Sequence, residues 1–261
     1  MNHLLALLLG FFLDLILGDP HWLPHPVQGM GWMISKLEPA LRSRFPKTEK
    51  GERAAGTLLV FLVAGSSVLL TAAVLVICHL VSPRLCFGVE VLICYQLLAT
   101  KSLRVESMKV SYALERGTLE DGRRAVSMIV GRDTERLDAA AVTRAAVETV
   151  AENTSDGVVA PLLFLAIGGA PLGFFYKAVN TMDSMLGYVE PPYKNIGLVP
   201  AKADDVVNYI PARLSALLML TAGGLMGLDI SAGWRIFRRD RRKHASPNSA
   251  QTESVCAGLL G

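Results

Sequence analysis

Residues 57–77, TLLVFLVAGSSVLLTAAVLVI, contain no ionisable side chain, and the uncharged run reaches from Ala54 through Ile77. At roughly 1.5 Å per helical residue, such a run crosses a hydrocarbon core of about 30 Å. This stretch decides the fold class: an all-α, polytopic integral membrane protein. Composition agrees. Of the 261 residues, 51% are hydrophobic and the mean hydropathy is +0.39, high for a soluble domain with an ordinary polar surface.

Outward from this run, taken as 55–80, four more apolar segments lie near 4–17, 85–100, 158–179 and 212–230, and a polar, helical insertion occupies 101–157. The whole of 1–261 reads as one integral membrane domain. Asp14 interrupts 4–17 and Glu90 interrupts 85–100, so each suits a span or a buried soluble helix; spans are the preferred reading. Met1-Asn2-His3 offers no cationic start and no cleavage site follows, so the N-terminus is expected to be retained. The segment 158–179 is broken by Gly168-Gly169-Ala170-Pro171, and 212–230 by Gly223-Gly224 and Gly227. Broken segments either span with a kink or fold back as re-entrant hairpins beside a polar cavity.

Three helices are expected in the polar insertion. The first runs through SLRVESMKVSYALERG and stops at Gly117; the second runs through LEDGRRAVSMIVGRDT and closes at Gly131. The third is capped by Asp138, carries a small-residue face from Val142 to Val150, and ends at the Asp156-Gly157 turn signal. On it Arg144, Glu148 and Glu152 are four apart and can pair along one stripe.

Charge is uneven: six Lys/Arg fall in 36–53, nine in 101–144 and six in 235–243. With five spans all three regions share one side, which the positive-inside rule makes cytoplasmic, so a multi-pass protein of the cytoplasmic membrane is expected. Five spans, however, place ENTSDG and DDVVNY on opposite faces. A re-entrant 158–179 reunites them but sends Arg235 to Lys243 outside unless 212–230 also fails to cross. The four cysteines show no Cys-x-x-Cys spacing and read as inert thiols. Basic residues lack aromatic interleaving, which argues against a nucleic-acid partner.

Acidic clusters at Asp14/Asp19, at Glu148/Glu152/Asp156 and at Asp183 with Asp204/Asp205 are the candidate chemical groups. Hard cations such as Mg²⁺ take carboxylate oxygens, and Lys177, Arg132 and Arg213 suit phosphate oxygens. No Walker loop is present, so any ATP would bind elsewhere. The GDPHWLPHPV turn is stiffened by three prolines; it is either an interfacial turn anchored by Trp22 or a site presenting His25 as ligand or proton carrier. The 239–248 segment reads as a basic juxtamembrane tail or as a turn presenting His244 and Asn248.

GDPHWLPHPV (18–27), VGRDT (130–134), ETVAENTSDG (148–157), KAVNTMDSMLGY (177–188), ADDVVNYIPARL (203–214) and RDRRKHASPN (239–248) occur in the order seen in the CobD/CbiB family, the adenosylcobinamide-phosphate synthases of cobalamin biosynthesis. The chain resembles that family throughout. The resemblance implies a membrane ligase that joins adenosylcobyric acid to aminopropanol or its O-phosphate through an amide bond, with ATP and Mg²⁺ as cofactors. Because a carboxylate does not condense with an amine in water, it would be activated as an acyl phosphate, with a base to deprotonate the ammonium and cations to neutralise phosphate.

On this reading Glu148, Glu152, Asp156, Lys177, Asp183 and Asp205 are the candidate catalytic groups. Asp19, His25, Arg132, Asn153, Asn180, Asn208, Arg213, His244 and Asn248 are candidates for substrate binding, and Asp204 with Asp205 for Mg²⁺. Glu152, Asp156, Lys177, Asp183 and Asp205 are expected to share a cavity only if Gly168 to Pro171 turns back. Partners would be the corrinoid, the aminopropanol, the lipid bilayer and other cobalamin-pathway enzymes. The family pattern continues beyond the SPN motif, whereas this sequence ends at AGLLG, so a shortened form is expected. Two other readings stay open: a non-catalytic corrinoid-binding membrane scaffold, and a small transporter built on the broken segments.

Overall fold

The computed structural model describes residues 2–20 and 22–261, and the side chain of Asn2 is left out. Met1 of the N-terminal reading and His21 of the GDPHWLPHPV motif therefore lie outside the described residues. Among the described residues there is no strand. The first six helices are α1 (Asn2–Leu17), α2 (Pro26–Arg44), α3 (Glu49–Val81), α4 (Pro83–Leu97), α5 (Thr100–Arg116) and α6 (Leu119–Ser127). After α7 (Ala139–Thr154) comes one π-helical turn (Ser155–Val159), then α8 (Ala160–Leu186), α9 (Leu198–Val207), α10 (Tyr209–Leu225), α11 (Ile230–Asp240) and α12 (Ser249–Leu260).

Three helical runs, Glu49–Val81, Pro83–Arg116 and Ala139–Leu186, are long and apolar enough to cross a membrane, and α9 with α10 qualifies only as one broken span. The 33-residue α3 shows why: Phe61, Leu69, Leu70 and Leu80 are 68–80% exposed. An apolar face of that size is stable against lipid and costly in water. The protein is a multi-pass membrane protein.

The chain divides into two compact units, each assembled from two separate stretches: 1–98 with 160–208, and 99–159 with 209–261. In the first unit, Ile34 of α2, Leu59 and Val63 of α3, and Ala178 and Met182 of α8 form one core with Ile196. Leu7, Cys94, Leu97, Leu98 and Leu165 form a second. In the second unit, Val110, Val126, Val142 and Ala145 join α5, α6 and α7, while Ala216, Leu220, Phe237, Val255 and Leu259 join α10, α11 and α12.

The segment broken at Gly168 turns back. Gly168 and Gly169 leave helical geometry, and Gly169 has φ 63°, a left-handed conformation that favours glycine. Phe164 and Tyr176 then stack with ring centroids 5.0 Å apart, whereas a straight helix would separate them by about 18 Å along its axis. Gly173 lies so close to Leu165 that an added Cβ would sit 2.5 Å from Leu165 Cδ2. Thus α8 is a re-entrant hairpin with limbs 160–167 and 170–186.

Its tip is supported by polar groups from other helices: His3 Nε2 is 3.3 Å from the Ala166 carbonyl, and Glu90 Oε1 lies beside Gly169. A cation-capable ring at the end of one limb and a carboxylate at the start of the next both suit the helix dipoles. A Phe164→Cys/Tyr176→Cys pair is expected to be bridged by a short bis-thiol reagent in membranes. Absence of bridging, with both single cysteines reactive, would mean that the limbs do not lie together.

Local expectations hold where the signal is local. Gly117 caps α5 and the Asp138 carboxylate accepts from the Ala141 N–H of α7 at 2.7 Å. Two boundaries need correction. Helix α6 ends at Ser127 rather than at Gly131, because Ile129 and Val130 bond in tight turns to Val126. Asp156-Gly157 does not end α7; the helix widens into the π turn, and the Gly157 carbonyl there accepts from Ala99 N–H at 3.0 Å.

Candidate functional site

The candidate residues fall into two sets, one in each unit. In the first unit the carboxylate of Asp204, a buried residue, accepts from Asn208 Nδ2 at 2.9 Å and Asn180 Nδ2 at 3.4 Å, and Tyr176 donates its hydroxyl to Asn208 Oδ1 at 3.0 Å. Tyr176 and Asn208 are at most 1% exposed, so this network ties the 170–186 limb to α9 with few polar groups left for water. Lys177 and Asn180, three apart, and Asp183, three further on, share a face of that limb, where all three are half-buried. Asp205 pairs with Lys202 at 2.8 Å.

Asp204 and Asp205, the pair expected to hold Mg²⁺, sit side by side on α9. Neighbouring helix residues diverge by about 100°, and these two are engaged with different partners. Among the described residues, no group of three or more His, Cys, Asp or Glu side chains is placed to hold a metal ion.

His25 caps α2: its Nδ1 accepts from Val27 N–H at 3.2 Å, and Pro26 follows at the first helical position. Its Nε2 is 3.8 Å from Asp19 Oδ1, and Gln96 donates to the Pro24 carbonyl at 2.9 Å, fixing the turn. Burial is the largest influence and pushes the ring below its ordinary 6.5; Asp19 opposes this and Lys177 adds to it. The neutral ring is therefore the folded form near pH 7. The unfolded chain binds the extra proton more readily, so stability from this residue rises with pH through the window just under 6.5. In a histidine-labelled NMR titration, Lys177→Met is expected to raise the His25 midpoint and Asp19→Asn to lower it; shifts of the opposite sign would refute this charge assignment.

In the second unit Glu148 and Glu152 project one turn apart from α7. Glu148 pairs with Arg132 at 2.7 Å, and Arg144 makes no ion pair among the described residues, so the expected Arg144 stripe does not form. Glu152 Oε1 accepts from Ser249 Oγ of α12 at 2.8 Å. One turn on, half-buried Glu253 is held above the usual carboxylate range by burial first and by Glu152 next, with Glu148 adding and His244 and Arg132 opposing. A carboxyl whose proton affinity is raised beside a second carboxyl is an arrangement suited to proton transfer.

Around this set, Arg213 Nη1 donates to Asn248 Oδ1 at 3.3 Å, and Arg213 Cζ lies 3.5 Å from the Tyr209 ring centroid. His244 Nδ1 accepts from Ser246 N–H at 3.1 Å, and Asn153 Nδ2 donates to the Thr149 carbonyl at 3.0 Å. Asp156 lies in the π turn, and such single turns recur at functional sites. Glu253, Ser249 and Tyr176 are absent from the sequence-based candidates. The spacing Ser249–Glu253, one helical turn just past the SPN motif, was the available signal for the first two.

The family model described as CobD/Cbib protein matches residues 7–261. The chain belongs to the CobD/CbiB family. It is 49% identical over 256 residues to a cobalamin biosynthesis protein CobD of Geobacter metallireducens, covering 98% of this chain and 79% of that protein. It is 44% identical over 259 residues to a CobD of Clostridium perfringens, covering 99% and 81%. A cobalamin biosynthesis protein CbiB of Salmonella arizonae is 45% identical over 262 residues, again covering 99% and 81%. No solved structure matches.

Proposed function

We propose that this chain is a cobalamin-biosynthesis enzyme of the cytoplasmic membrane that joins adenosylcobyric acid to aminopropanol, or its O-phosphate, through an amide bond, using ATP and Mg²⁺. The observation that carries the reading is the family match over nearly the whole chain. The clustering of motif carboxylates and cations supports it.

Amide formation needs a base for the ammonium and charges that hold anions. Glu152, oriented by Ser249, is the group we assign to accept the ammonium proton, with Glu253 as its partner in proton exchange. Arg132, balanced against Glu148, is assigned to an anionic substrate group, as is Lys177 in the first unit. We reassign Asp156, Asp183 and Asp205, candidate catalytic groups in the sequence, to polar contacts with substrate. Bound nucleotide would supply the activation of the carboxylate. Mg²⁺ keeps several waters and commonly binds through phosphates with one or two carboxylates, so we assign it to the nucleotide rather than to an Asp204/Asp205 pair.

The test is product formation by membranes carrying the protein, from cobyric acid, aminopropanol phosphate and ATP. Appearance of the cobinamide phosphate with consumption of ATP is expected. Corrinoid binding with no ATP turnover would replace the ligase by the scaffold reading.

A further inference from the structure

We propose that α11 lies in the membrane interface and selects anionic phospholipid headgroups, with Arg235 and Arg238 on the helix and Arg242 just beyond its end accompanying the exposed apolar residues Leu225, Met226, Ile230 and Trp234. The helix has three sectors. Gly233 and Phe237 are buried, and Gly258 of α12 lets Gly233 and Ile236 approach closely. Next round the helix, Ile230 and Trp234 are one turn apart and 49% and 45% exposed. The third sector holds Arg235, Arg238 and Arg239, exposed and spaced three and four from the first, and exposed Arg242 follows in the turn just beyond the helix.

The apolar sector does not stand alone. Leu225 and Met226, at the end of α10, are 86% and 79% exposed, and Leu217 and Leu218 extend the same kind of surface along α10. Water disfavours this much exposed apolar surface, and indole rings favour the depth of the lipid headgroups. A helix with an apolar sector flanked by cations lies in the plane of the interface.

The charges choose the lipid. Six Lys/Arg in 235–243 face one acid, Asp240, which takes Arg239 at 2.6 Å and Lys243 at 2.6 Å. Arg241 lies over the Phe237 ring at 5.2 Å. Arg235, Arg238 and Arg242 make no ion pair among the described residues. A zwitterionic bilayer would cover the apolar strip and leave these cations uncompensated. Free phosphate would neutralise the cations and leave Leu225, Met226, Ile230 and Trp234 in water. An anionic phospholipid satisfies both.

The experiment uses the full chain in nanodiscs, with Trp22→Phe and Trp32→Phe leaving Trp234 as the reporter. Brominated phosphatidylglycerol and brominated phosphatidylcholine are compared at equal mole fraction. Quenching of Trp234 is expected to be about twofold stronger with the anionic lipid, because cations near the surface enrich it locally. Arg235→Gln/Arg238→Gln/Arg242→Gln should bring the two lipids to equality, and the corresponding Arg→Lys triple should keep the preference. Equal quenching before any Arg is changed overturns the proposal, as does absence of quenching by either lipid. Removal of the preference by inorganic phosphate, or by the Lys triple in a protein of unchanged helicity, overturns it in favour of a discrete phosphate site.

Discussion

Glu152→Gln is expected to lower amide formation by at least about 100-fold, the usual scale for losing a positioned acid–base group. The substitution keeps an acceptor for Ser249, whose hydroxyl is 2.8 Å from the carboxylate, so α7 and α12 should remain packed. What is lost is the negative charge. That loss also acts on Glu253, whose proton affinity is raised in part by Glu152. Removing the repulsion lowers the Glu253 pKa, so whatever residual activity depends on its protonated form should fall away at lower pH than before. Full activity in Glu152→Gln, measured as cobinamide phosphate formed by membranes with normal protein content, would remove Glu152 from the proposed chemistry without touching the family assignment.

The second large effect concerns folding. A Cβ placed on Gly56 of α3 would lie 2.2 Å from the Ile196 carbonyl oxygen, a backbone atom with no rotamer to yield. Gly56→Val is expected to destabilise the first unit by about 3 kcal/mol, at the upper end of ordinary overpacking. The readout is loss of monodisperse protein on detergent extraction. Gly65, nine residues along the same helix, has nothing within 4 Å of its would-be Cβ. Gly65→Ala should therefore be neutral or stabilising by up to about 1 kcal/mol, since alanine is the better helix former. Equal behaviour of the two variants would show that the close approach at Gly56 is not what holds α3 in place.

Signals carried by a few neighbouring residues were legible in the sequence. The uncharged 57–77 run, the Asp138 cap and the Gly117 stop needed only helical periodicity and backbone preference. The Gly168–Pro171 break was visible as a break, but its sense depended on whether Phe164 meets Tyr176, which is a tertiary fact. The same limit explains the site. Glu152 and Ser249 are 97 residues apart, and their contact arises from the packing of α7 on α12. Likewise His25 showed its possible chemistry in sequence, while its place as the α2 cap required the helix that follows. Asp156-Gly157 misled because a turn dipeptide was accommodated by widening a helix rather than ending it.

The hairpin at Gly168–Gly169 also bears on the order in which the protein is made. Its limbs are about 12 and 25 Å long, and backbone groups at the tip need partners that lipid cannot provide. His3 and Glu90 stand at that tip, and α1, α2, α3 and α4 pack on the hairpin; all of them leave the ribosome first. Of the described helices in that unit that pack on it, α9 alone is synthesised later, together with the Ile196 segment that leads into it. Insertion of residues 160–186 is then a docking into a receptacle already laid down in the bilayer, so a ribosome stalled when residue 186 has just cleared its exit tunnel should already hold the hairpin folded.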